Sequence, residues 1–173
     1  MRFGRTALTV VLAGILWATP AVTAPRQDAY ERAVLAFDNG RYAEALKEFR
    51  QLAERGHAGA EFMLGAMHFQ GRGVKRDDKA AAIWFRKAAD KGDTNAQLAF
   101  GSLHIRGLGV PQDLVKAYVW LTLASERGSG NVPERAKALR EEAARLMRPD
   151  EIEQARRTAA DFKPARSSLR YTP

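Results

Sequence analysis

Two glycines one residue apart, Gly71 and Gly73, open the stretch "GRGVKRDDKAAAIWFRKAADKGD" at positions 71–93. Glycine-rich turns that enter helices can hold phosphate, because the free N–H groups of the first helical turn point at the ligand. A nucleotide loop also places a lysine and a hydroxyl residue directly after its last glycine, whereas Val74 follows Gly73 here. Asp77 would put negative charge at the helix start, where a phosphate needs room. The other reactive side chains do not converge either. The acidic pairs Asp77 and Asp78, Glu141 and Glu142, and Asp150 and Glu151 fall at helix starts or on charge-balanced helical faces, where capping and solvation account for them. Ser102, Ser125, Ser129, Ser167 and Ser168 lack a nucleophile-elbow context, and His57 lies in a turn with no obvious partner. His68 and His104 without a carboxylate pattern make a poor zinc site, since structural zinc takes four ligands. The sequence therefore predicts a non-enzymatic protein with no metal and no cofactor.

The elements that carry these residues are repeated. Residues 58–93 laid over 94–129, at an offset of 36, match without a gap at Ala60, Gly65, His68, Gly71, Gly73, Val74, Asp77, Ala81, Trp84, Ala88 and Gly92. The same offset reaches backward, where Ala45, Phe49, Arg50, Ala53 and Gly56 match Ala81, Phe85, Arg86, Ala89 and Gly92. "QDAYERAVLAFDNG" before them keeps an amphipathic helical spacing but loses the repeat's own signature, as a divergent end unit does. Each unit reads as two helices. The first, near 59–70 and again near 95–106, closes on Gly-x-Gly-Val, whose glycines can take the positive φ that ends a helix. Asp77 and Asp113 stand at the N-cap of the second helix, and Gly92 and Gly128 stop it.

The compartment is set ahead of the repeats. "MRFGRTALTVVLAGILWATPAVTA" has Arg2 and Arg5 before an apolar run, then Val22 and Ala24 at the −3 and −1 positions of a cut. It reads as a signal peptide over residues 1–24, too short in its apolar part to span a bilayer. A periplasmic or secreted protein is expected. With no cysteine, its stability comes from packing alone and a lipid anchor through cysteine is excluded. Without the leader the chain has 26 basic and 20 acidic residues, a net charge of +6. Half of that excess is Lys163, Arg166 and Arg170 near the C-terminus. That is a basic tail on a mildly basic body, not the stripe that nucleic-acid binding uses, so no nucleic acid is expected and membrane contact is at most peripheral.

"LGAMHFQGRGVKRDDKAAAIWFRKAADKGD" and "FGSLHIRGLGVPQDLVKAYVWLTLASERGS" resemble Sel-one-like repeats (SLR) of the tetratricopeptide superfamily, and "GRYAEALKEF" resembles the second half of a tetratricopeptide unit. The resemblance covers about residues 28–163. It implies an all-α fold, an α-solenoid of antiparallel helix pairs wound as a right-handed superhelix. The organisation expected is a divergent first helix pair over 25–57, repeats over 58–93 and 94–129, C-terminal capping helices over 130–163 and a disordered basic tail over 164–173. The resemblance also implies protein–protein interaction, in bacteria often in envelope signalling or assembly, with a protein or peptide as ligand of a monomeric scaffold. A cell-wall or β-lactam-related binder or hydrolase, and a secreted host-interaction factor, are the alternatives. The known proteins of the cell-wall type are disulfide-rich, and this chain has no cysteine.

Helical geometry then assigns a surface. If Ala60, Leu64, Gly65 and His68 pack inward, Glu61, Phe62 and Phe69 turn toward the face lined by first helices, matched by Gln97, Leu98, Ser102 and Ile105. These residues either form a concave apolar surface for a partner or are covered by a neighbouring layer. His68 and His104 replace the tyrosine usual in the family. They either pack as a phenol would or make an acid-sensitive joint, because burial disfavours protonation.

Overall fold

The computed structural model describes residues 25–165, with side chains from Ala29 onward. The expected signal peptide, and Arg166 and Arg170 of the tail, lie outside the described residues. Among the described residues eight helices follow one another: α1 (Pro25–Asp38), α2 (Tyr42–Glu54), α3 (Ala58–Gln70), α4 (Asp78–Asp90), α5 (Thr94–Arg106), α6 (Leu114–Arg127), α7 (Val132–Ala144) and α8 (Pro149–Ala160). No strand occurs among the described residues. Each helix from α1 to α6 packs on the next, and α7 and α8 both lean on α6. This is an α-solenoid, as expected. No helix among the described residues is long and apolar enough to cross a membrane.

Local chemistry fixes the helix ends. The Asp77 carboxylate accepts from Ala80 N–H at 2.9 Å, and Asp113 does the same for Lys116 at 2.9 Å. Asp93 caps α5 through Ala96 N–H at 2.8 Å. In the equivalent place before α3, His57 Nδ1 accepts from Ala60 N–H at 3.1 Å, so this histidine has a partner that its turn position hid. Gly71 and Gly107 close α3 and α5 in the left-handed region, at φ 69° and 65°.

The second glycine of each turn has a different task. A Cβ on Gly109 would lie 1.9 Å from the Asp78 carbonyl oxygen, and one on Gly73 would lie 2.8 Å from Tyr42 Cβ. Gly109 therefore seats its turn against the start of α4, and Gly73 seats its turn against the start of α2. The Gly-x-Gly turn is the contact between layers. The helix faces use the same device: a Cβ on Gly65 would come within 2.5 Å of Phe85 Cδ1, and one on Gly101 within 2.8 Å of Leu121 Cγ. Fully buried alanines such as Ala60, Ala81, Ala88, Ala96, Ala117 and Ala124 line the remaining crossings. Larger side chains there would overpack the stack.

Alanine placed at three of these glycines should separate backbone strain from contact. Gly40 has φ +74° and open space around it, so Gly40→Ala should cost about 1 kcal/mol from the left-handed backbone alone. Gly65→Ala should cost about 1–3 kcal/mol by overpacking, less what a helical alanine returns. Gly109→Ala combines positive φ with a backbone clash and should cost most. Denaturant midpoints check the order, and a Gly109→Ala chain as stable as Gly40→Ala would refute the interlayer role.

Candidate functional site

The surface expected from helix rotation is largely taken up by packing. Glu61, Gln97 and Leu98 are buried, at 3%, 0% and 6% exposure, and do not face an open concavity. Leu98 is covered because Val132 and Ala136 of α7 pack on it. Phe62 sits half-buried against Phe85, 5.7 Å between ring centroids, and beside the alanine cluster of α4 and α5. Phe69 is half-buried beneath the Arg76 guanidinium, 5.5 Å from the ring centre. Ile105 is drawn into the α5–α6–α7 packing, and Ser102 is half-buried. Packing thus covers most of this face, with α7 lying over α5 and Lys91 closing over Glu61.

A polar corner replaces it. Glu61 of α3 and Lys91, just past α4, form a buried ion pair of 2.6 Å with side-chain exposures of 4% and 19%. The Lys91 ammonium also donates to the Gly56 carbonyl at 3.2 Å. Burial raises the neighbouring Asp93 carboxyl above its ordinary range, opposed by its capping bonds from Ala96 and Asn95, and the Glu61 charge adds to the rise. One layer later the pattern changes at equivalent positions. Gln97 stands for Glu61 and donates to the Ala89 carbonyl at 3.2 Å. Arg127 stands for Lys91, and it has no carboxylate to meet.

Arg127 instead holds the end of the chain. Beyond α8, residues 161–165 turn back across the stack. Phe162 packs edge-on against Trp120, 5.5 Å between centroids at 74°, and the Arg127 guanidinium lies 5.6 Å from the Phe162 ring centre. An Arg127 N–H donates to the Phe162 carbonyl at 3.4 Å. Pro164 rests beside Gly92, where an added Cβ would come within 3.4 Å of it. Ala165 N–H then donates to the Asp90 carbonyl at 2.7 Å. Asp90 ends α4, and the last carbonyls of a helix lack an intrahelical donor, so its oxygen is available to a passing strand. Lys163, Pro164 and Ala165 were expected in or beside a disordered tail; Pro164 and Ala165 are instead anchored on the turn between α4 and α5.

Trp84, the counterpart of Trp120, shows why this happens only once. Lys87 sits over its ring, 4.1 Å from the ring centre, but the residue equivalent to Lys87 is Leu123, fully buried beside α8. The Trp120 ring is left for Phe162.

The histidines lie elsewhere. His104 is buried edge-on to Phe100 at 4.7 Å, with Nδ1 3.3 Å from the Pro111 carbonyl. His68 is half-buried and its Nδ1 has no hydrogen-bond partner. Burial lowers both pKa values. For His68 the Asp77 charge opposes it and Arg50 assists; for His104 the Pro111 bond and Asp113 oppose it, and Lys116 and Arg86 assist. His57, stacked on Tyr30 at 4.6 Å, is lowered by burial and by Lys91 against its own backbone bond. Among the described residues no group of three His, Cys, Asp or Glu side chains is placed to hold a metal ion.

The comparisons with known proteins agree with this architecture. The Sel1 repeat model matches residues 58–93 and 94–129. The chain thus carries two Sel1 repeats. Its stack is similar to the crystal structure of c5321, a protective antigen of uropathogenic Escherichia coli with an SLR fold, at 27% identity and a TM-score of 0.73 over 86% of this chain. The matched part is 35% of c5321, so the chain spans about a third of that protein. It is also similar to a Sel1 repeat protein from Oxalobacter formigenes, at 28% identity and a TM-score of 0.58, covering 66% of this chain and 89% of that one. A search of curated proteins returned no match. Sel1 repeat proteins are in general protein-interaction scaffolds and typically non-catalytic.

Two measurements test this site. Lys91→Met leaves Glu61 buried without its partner and should cost about 3 kcal/mol, while the Glu61→Met/Lys91→Met double variant should recover most of it. Denaturant titration of the three chains decides, and equal losses in single and double variants would show that the pair is not the cause. The lowered histidine pKa values give the acid response its sign. The unfolded chain takes up protons first as pH falls through about 6.5, so stability present above that value is lost toward the lower folded values. Melting temperature should therefore drop between about pH 7 and pH 5. The drop should shrink in His68→Tyr/His104→Tyr and shrink again when His57→Asn, which keeps a capping oxygen, is added. An unchanged pH profile would exclude these imidazoles.

Proposed function

We propose that the corner formed by Trp120, Arg127 and the α4–α5 turn is a docking site for an extended peptide segment, and that the scaffold uses it to hold a partner protein. The observation that carries this reading is the chain's own segment 161–165, seated there by one aromatic anchor, one proline contact and a main-chain hydrogen bond. Extended peptides are commonly held this way, with backbone bonds supplying affinity and side-chain pockets supplying selectivity. The partner segment would carry an aromatic residue with a proline two positions later, as Phe162 and Pro164 do. Phe62 and Phe69, half-buried on α3, would extend the contact toward the first repeat.

The leader at residues 1–24 supports export, and with it work in the periplasm or outside the cell. An adaptor for envelope proteins fits these features: it is monomeric, and it recognises a short segment of a larger partner. Segments displayed on envelope assemblies are accessible to such a scaffold without unfolding of either protein.

Displacement tests the reading. In a Trp84→Phe background, Trp120 is the one tryptophan after the leader, and its fluorescence reports the corner. Phe162→Ala in the full chain should expose Trp120 and red-shift its emission. Adding the peptide DFKPA should reverse the shift, whereas DAKPA should bind at least about tenfold more weakly, the loss of an anchor side chain. If the Phe162→Ala chain keeps its fold and neither peptide alters Trp120, the corner is a packed terminus and not a docking site.

A further inference from the structure

We infer that a cavity between α6, α7 and α8 is a binding site for a monovalent carboxylate. The pocket holds about 310 Å³, opens to solvent beside the exposed Arg156 and Glu126, and shares no lining residue with the peptide corner. Its floor is one stripe of α6, where Tyr118, Thr122 and Glu126 recur every four residues and so share a helical face. Its walls are Arg140 of α7 and Arg156 of α8. The wedge exists because both cap helices lean on α6.

Three features suit an anion. The Arg156 Nε–H donates to the Tyr118 hydroxyl at 3.3 Å, which leaves its terminal N–H groups and the phenolic hydrogen available. Arg140 lies 5.7 Å from the centre of the Tyr118 ring and donates from one nitrogen to Ser125 Oγ at 3.2 Å. Among the described residues neither guanidinium has a carboxylate within ion-pair distance, although Glu153 acts on Arg156 through space. Thr122 is 6% exposed, and its hydroxyl has no hydrogen-bond partner. A buried hydroxyl without a partner is costly, and a ligand oxygen in the cavity would satisfy it.

The charge balance selects the class of anion. Two arginines and Glu126 leave one positive charge among the lining residues, which a single carboxylate neutralises. A doubly charged phosphate would overshoot that single charge. A carboxylate also matches the fork of a guanidinium with its two oxygens. Free small acids and an acidic side chain of a partner present the same group.

Nuclear magnetic resonance of the full chain, following the Arg140 and Arg156 side-chain nitrogens and the Thr122 amide, tests the site. N-acetylglycine, its neutral amide, inorganic phosphate and a short peptide with one internal aspartate and blocked ends are the probes. The carboxylate probes should shift these signals saturably, and the amide should not. Tighter binding of N-acetylglycine would identify a small acid as the ligand, and tighter binding of the peptide a partner side chain. Arg140→Met should weaken binding by about tenfold or more, as loss of a charge-assisted hydrogen bond does. Thr122→Val should weaken it too while raising the melting temperature of the ligand-free chain, which separates binding from folding. Equal shifts with the amide, tighter binding of phosphate, or no saturable shift would overturn the assignment.

Discussion

The distance between layers governs this molecule, and the absence of Cβ atoms sets it. Gly109 brings the α5–α6 turn onto the backbone at the start of α4, and Gly65 and Gly101 let Phe85 and Leu121 enter the facing helices. With the layers that close, Trp120 of the second repeat reaches Phe100 and the small alanines of α4 and α5. A stack held farther apart would leave those rings without neighbours, and dispersion falls off within an ångström of lost contact. Capping belongs to the same scheme. Asp77 and Asp113 satisfy the helix starts from within, so the turns can be pressed together without stranding N–H groups between them.

A repeated frame makes equivalent positions comparable, and the differences between them show where the chain departs from pure stacking. At one corner the first layer has Glu61 and Lys91, closed on each other by a buried bond. The second has Gln97 and Arg127, and loss of the acid releases the base toward Phe162. Lys87 shields Trp84, while Leu123 in its place feeds the core under α8. Three exchanges at matching positions thus turn a sealed corner into one that holds the chain's own segment after α8. The scaffold is untouched by them, since none involves a glycine, a side chain that caps a helix start, or an alanine crossing.

The solenoid, the helix caps and the Gly-x-Gly joint were legible because they are local. Each depends on residues within a few positions of one another, and the offset of 36 shows them more than once. The binding surface was not legible in the same way. Rotation of α3 and α5 placed Glu61, Gln97 and Leu98 outward in sequence, yet Lys91 closes over Glu61, Gln97 bonds back to α4 and α7 covers Leu98, and helical periodicity carries no information on what covers a face. Glu61 and Gln97 are buried polar residues; Glu61 bonds to Lys91 of its own layer, and Gln97 bonds across to Ala89 of the layer before. His57 was hidden for a simpler reason: histidine is an uncommon N-cap, and only its alignment with Asp93 could have pointed to the role. The return of Phe162 to Trp120 spans more than forty positions and leaves no periodic trace.

That return is energetically close to neutral, which bears on its use. Ordering five residues costs about 5–10 kcal/mol in backbone entropy, toward the lower end where a proline is already restricted. Against it stand about 2 kcal/mol for the Phe162 side chain leaving water and about 1 kcal/mol each for its edge contact and its cation. Two hydrogen bonds add about 1 kcal/mol each. The two sides balance within their spread. A segment held so lightly suits the docking proposed above, because a competing peptide would need only a few more contacts than the chain offers itself, while tethering keeps the Trp120 ring covered in its absence. Weak self-occupancy thus protects an exposed aromatic corner without closing it.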